Sequence, residues 1–174
     1  MFSKRLLSLF LLPLLFVVGC DLLKPRTTSH KPAPPPPSSS ANSSASLRRN
    51  VVTYGQKFVG TQYRYAGTDP KTGFDCSGVT RVVLKVFHVK VSPASSKQAT
   101  EGRPVSLDRA QPGDLIFFGE NVKNIQHVAL LVKRSSEGLT CVHSTTSRGV
   151  IFENVSKSSY WKPKILFARD VITR

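Results

Sequence analysis

Three cysteines in 174 residues are too few for a four-cysteine metal site or for a mini-protein held together by several disulfides. Acidic side chains are scarce too: ten, against 25 lysines and arginines, a formal charge of +15. No apolar run reaches the ~18 residues that a membrane-spanning helix needs. The composition, 40% hydrophobic and 20% charged, is nonetheless globular rather than disordered or fibrous. The length allows one domain of ordinary size with a tail. The charge divides as +2 over residues 1–19, +4 over 20–49 and +9 over 50–174. The last stretch is therefore basic in itself, and its partner should carry negative charge: nucleic acid, anionic lipid or an acidic polymer.

Three zones follow along the chain. In the first, residues 1–19, Lys4 and Arg5 precede an apolar stretch from Leu6 to Val18 that only Ser8 and Pro13 interrupt. A short apolar segment behind a basic start, ending in small residues, reads as a secretory signal peptide. Val17-Val18-Gly19-Cys20 also resembles a bacterial lipobox, which implies lipid on Cys20 and a membrane anchor made of acyl chains. Residues 20–49 read as a disordered tether. Pro25, Pro32 and Pro34 to Pro37 stand among seven serines in residues 24–46, with no aromatic side chain, so little surface can be buried to offset ordering. The folded domain is expected over residues 50–174.

Within it, Asn50 is a candidate cap for a helix running to Gln56–Val59, which Gly60 breaks. Asp75 is a candidate cap for a second helix, with Val79, Val82, Val83, Val86 and Phe87 at helical spacing. A short helix is expected near Gln98. After Pro112-Gly113 the pattern turns to strands: 115–118, 127–132, 139–143, 150–152 and 165–171, the second apolar on both faces and therefore central. Helices followed by a run of strands give an α+β fold.

Cys76 is the most informative residue. At the first position of a helix, the dipole and the free N–H groups favour a thiolate nucleophile. Gly73 and Gly78 would admit a substrate closely. A buried structural cysteine is the competing reading, but Asp75 and Ser77 are polar neighbours for one. His127 and His143 lie in apolar strands; they could be satisfied core residues, a base with its orienting partner, or, with Cys76, three ligands of a zinc ion. His88 ends the second helix, where a cation suits the dipole. Cys141 shares the strand parity of His143 and should pack as a small hydrophobe, leaving free thiols. Tyr63 or Tyr65 could donate to an oxyanion.

Together these residues resemble the NlpC family of papain-like bacterial cell-wall cysteine peptidases, above all its small lipoprotein murein endopeptidases of the Spr (MepS) type. The motifs are Gly60-Thr61-Gln62-Tyr63-Arg64-Tyr65-Ala66-Gly67, Gly73-Phe74-Asp75-Cys76-Ser77-Gly78, Pro112-Gly113-Asp114-Leu115, His127-Val128-Ala129, His143-Ser144-Thr145-Thr146-Ser147-Arg148-Gly149 and Tyr160-Trp161-Lys162. The resemblance implies a papain-like α+β core with Cys76 as nucleophile, His127 as base, His143 orienting it and Tyr63 beside the oxyanion. It implies hydrolysis of amide bonds in murein stem peptides or their cross-links through an acyl-enzyme thioester, without metal or cofactor, by a monomer facing the periplasm of a bacterial envelope. Two departures stand out. Ala66 replaces one of the family's paired glycines, and Ala94 replaces an arginine that often follows the proline, which bears on substrate recognition. The competing classes are a non-catalytic peptidoglycan-binding protein of the same fold and, on charge alone, a nucleic-acid binder, for which no basic-aromatic stacking motif is present. Asp21 after Cys20 resembles an inner-membrane retention signal.

Overall fold

A computed structural model describes residues 39–173, and side chains from residue 42. The expected leader, Cys20 and the proline-rich stretch lie outside these residues. The described chain runs α1 (Ser39–Gln56), β1 (Thr68–Asp69), β2 (Gly73–Phe74), α2 (Cys76–Val86), α3 (Ser95–Gln98), β3 (Arg103–Val105), β4 (Leu115–Asn121), β5 (Asn124–Ser135), β6 (Gly138–Thr145), β7 (Gly149–Asn154), a 3-10 turn at Lys162–Lys164, and β8 (Ile165–Asp170). β1 and β2 pair with each other. The other six strands form one antiparallel sheet in the order β3-β8-β4-β5-β6-β7. This is the expected α+β architecture, helices first and an antiparallel sheet after them.

Strand alternation gives the sheet two apolar faces. Leu115, Phe117, Val128, Leu130 and Val142 pack with the helical residues Val51, Val79, Val83 and Leu84. Ile116, Phe118, Ala129, Leu131, Cys141 and Trp161 pack on the other face. Five consecutive residues of β5, His127 to Leu131, are buried, as its apolar run requires, and β5 lies between β4 and β6. Cys141 is fully buried with a free thiol. β1, β2 and β3 have two or three residues each and were not foreseen.

The helical part begins earlier than expected. α1 begins at Ser39, eleven residues before Asn50, which lies inside the helix rather than capping it. The expected boundary at 49/50 therefore cuts a continuous helix. Arg48 explains why. Its guanidinium is buried, Nη1 lying 2.6 Å from Asp114 Oδ1 and Nη2 2.7 Å from Asp170 Oδ1. Nη1 also donates to the Pro112 carbonyl at 3.0 Å. Arg48 thus ties α1 to the start of β4 and the end of β8.

Candidate active site

α2 starts at Cys76 because Asp75 stops the preceding strand and caps the helix. The Asp75 backbone is extended, and its Oδ1 accepts from Gly78 N–H at 2.6 Å and from Ser77 Oγ at 3.0 Å. The two glycines assigned above to substrate access serve the chain itself. A Cβ on Gly78 would lie 1.9 Å from the Gly67 carbonyl oxygen, and Gly73 takes φ +117° with Gln62 O 2.8 Å from where its Cβ would stand. They let the Tyr63–Gly67 loop close over the start of α2. A bridge between Tyr63 and Phe74 completes the brace, and Ser144 Oγ on β6 donates to Phe74 O at 2.7 Å.

Cys76 is half-buried and its thiol is free. The helix-start argument predicts a thiol acidified toward thiolate; the net effect is the reverse. Burial pushes the thiol above its ordinary value, and the Asp75 carboxylate adds to this. Backbone N–H groups of Val128, Ser77 and Cys76 pull it down, but not enough. At neutral pH the resting side chain is therefore a thiol that has to surrender its proton.

The acceptor lines the same cavity. His127 on β5 is 8% exposed, with Trp161 stacked on its ring at 4.4 Å between centroids and Phe118 edge-on at 5.5 Å. Burial, then the neighbouring His143, lowers its pKa well below the ordinary imidazole value, so it is neutral and able to take a proton. His127 Nε2 is 2.8 Å from His143 Nδ1 on β6, which leaves Nδ1 of His127 as the free ring nitrogen. His143 is fully buried; burial lowers its pKa to about 4 despite the Glu153 carboxylate, which raises it. His143 Nε2 is in turn 3.1 Å from Glu153 Oε1. Arg148 Nη2 donates to both Glu153 oxygens, at 3.0 and 3.1 Å.

Cys76 and His127 open onto one cavity of about 490 Å³, lined also by Tyr63, Arg148, Trp161 and Lys164. Tyr63 is half-buried on its wall, whereas Tyr65 is 85% exposed and does not line it. His88 is exposed past the C-terminus of α2, at φ +61°, remote from this cavity. The zinc arrangement meets an obstacle, because the facing nitrogens of His127 and His143 bond each other. Among the described residues no three His, Cys, Asp or Glu side chains are grouped to hold a metal ion. Sequence reasoning missed Glu153, because the strand expected at 150–152 stopped one residue short of it. It also missed Trp161 as the wall stacked on His127.

The NlpC/P60 family model matches residues 60–170. Among curated proteins, the gamma-DL-glutamyl hydrolase of Bacillus subtilis is 34% identical over 124 residues, 70% of this chain and 29% of the relative. The probable endopeptidase NlpC of Escherichia coli is 30% identical over 118 residues, 67% of this chain and 73% of the relative. Among solved structures, the NlpC/p60 domain of the peptidoglycan hydrolase SagA is 30% identical with a TM-score of 0.60, covering 71% of this chain and 97% of that one. The chain thus spans under a third of the Bacillus hydrolase and nearly three quarters of the E. coli relative.

Proposed function

This chain belongs to the NlpC/P60 family, and on that premise we propose that it is a cysteine peptidase hydrolysing amide bonds in the stem peptides of peptidoglycan or in their cross-links. The observation that carries the reading is the shared cavity of Cys76 and His127, with His127 held from behind by His143. His127 Nδ1 takes the thiol proton as Sγ attacks the amide carbonyl. The oxyanion forms at the start of α2, where the Cys76 N–H has no intrahelical carbonyl to bond and Tyr63 lines the wall. His127 then gives the proton to the leaving amine, and a water, deprotonated by the same ring, cleaves the thioester and returns the thiol. Arg148 and Lys164 give the cavity a basic lip, and the free carboxylates of stem peptides are chemically suited to it.

Purified muropeptides digested with the protein and identified by mass test this. The expected products are two fragments whose masses sum to that of the substrate plus one water, unaffected by EDTA and absent with Cys76→Ala. Intact muropeptide that co-sediments with the protein would instead favour the binding module. We further propose that Cys20 carries lipid and holds the domain at the periplasmic side of a bacterial membrane, on the strength of the lipobox-like Val17–Cys20 segment. Mass spectrometry of the membrane-extracted protein decides that, and an unmodified Cys20 contradicts it.

A further inference from the structure

We propose that Glu153 is a positioning residue that fixes the proton arrangement of both histidines, and that Arg148 at the cavity lip tunes it; this rests on the Cys76–His127 reading above. A carboxylate only accepts hydrogen bonds. Glu153 Oε1, 3.1 Å from His143 Nε2, therefore requires the proton of His143 to sit on Nε2. Nδ1 of His143 is then a bare acceptor, and the 2.8 Å bond requires that His127 Nε2 carry a proton. Nδ1 of His127 is left with a lone pair, the form that can take the Cys76 proton. Without the carboxylate at the end of the row, His143 could turn its proton toward His127 and leave the base in the wrong tautomer.

The same charge acts on the reaction. As His127 accepts a proton, positive charge appears in a pocket walled by Phe118 and Trp161, and Glu153 is the acid bonded to that row. Arg148 opposes it by holding both carboxylate oxygens, while remaining 55% exposed where it lines the cavity. The ionisable groups about the two rings are Cys76, Tyr63, Arg148, Tyr160 and Lys164 lining the cavity with His127, Asp75 beside Cys76, and Cys141 and Glu153 on the sheet. Of these, Glu153 alone hydrogen-bonds to His143 as a carboxylate. Register makes this possible: Glu153 faces Cys141 across β6–β7, next but one to His143 on the same side of the strand.

The test uses iodoacetamide, which reads thiolate at Cys76 without reference to peptidoglycan, with alkylation of the Cys76 peptide followed by mass across pH. Glu153→Gln keeps the shape and removes the charge. It should slow alkylation at pH 7 about tenfold, the scale of a charged hydrogen bond replaced by a neutral one. At pH 10, where far more of the thiol is ionised without the imidazole than at pH 7, the rate should change less than about twofold. Arg148→Gln frees the Glu153 charge and should speed alkylation at pH 7. Wild-type rates at pH 7 in Glu153→Gln, or slowing by both variants alike, would overturn the proposal. Unchanged alkylation in His127→Ala would instead overturn the Cys76–His127 site on which it rests.

Discussion

His127 and His143 are both imidazoles in one hydrogen-bonded row, yet the proposed mechanism gives them different tasks, and the difference is measurable. His127 must carry a proton to and from the reacting groups, which an amide cannot do, so His127→Asn and His127→Ala should both lose about 10²–10⁴ in kcat. His143 supplies an acceptor on its Nδ1 side, which an asparagine carbonyl oxygen can imitate. Activity toward one muropeptide at saturation should therefore fall in the order wild type, His143→Asn, His143→Ala, then both His127 variants; a reversed order would mean the roles are exchanged. At this scale the sequence was informative where chemistry is local. Asp75 and Ser77 flank Cys76 with polarity that a core cysteine lacks, and one helix cap makes the geometry. It was uninformative where chemistry depends on register. Glu153 meets His143 only because β6 and β7 turn tightly at 146–148, and the acidity of Cys76 differs from the helix-start expectation because its burial against the core outweighs the helix start.

Among the elements, α1 and the loop before α2 carry the sharpest consequences. Arg48 is the side chain of α1 that bonds two buried acids, Asp114 and Asp170. Arg48→Ala leaves Asp114 without its cation and Asp170 with the exposed Arg103 alone, and chemical denaturation should show a loss of about 3–5 kcal/mol. Deleting residues 1–49, the span expected from composition to be leader and tether, should be at least as damaging; an unchanged midpoint would remove α1 from the fold's framework. The Ser- and Ala-rich start of α1 reads as linker because the partners of Arg48 stand 66 and 122 residues away. Ala66 is a different case. Its φ of +55° is the left-handed region that disfavours a Cβ, and the resembling family has glycine there. Ala66→Gly should be neutral to stabilising by up to about 1 kcal/mol, the relieved strain outweighing the added freedom of the unfolded chain. A loss of more than about 0.5 kcal/mol would refute the strain argument.

For the molecule as a whole, placing the site in the sheet's interior links stability to pH. His143 is neutral when folded, with a pKa of about 4, and titrates near 6.5 when unfolded. The unfolded chain therefore binds more protons between these values, so stability should fall as pH drops from about 6.5 toward 4, by on the order of 3 kcal/mol from this residue. His127 is shifted in the same direction and adds to the loss. His143→Asn should flatten the decline, and a wild-type free energy independent of pH across that window would contradict the buried neutral pair. The sheet that imposes this cost was legible in outline, because all five expected strands occupy apolar runs that are present as β4 to β8. The strand order was not, since neighbours in the sheet are set by tertiary packing; the grouping of Cys76, His127 and His143 was expected from the residues and the resemblance together. The central claim is that Cys76 forms a covalent thioester with half of a stem peptide. Acid-quenched intact-mass spectrometry during turnover of a muropeptide reads this directly. The account predicts a transient adduct with the mass of the acyl fragment, mapping to Cys76, released by hydroxylamine and missing in Cys76→Ser. Turnover with the adduct on another residue, or product formed by Cys76→Ala, would contradict it.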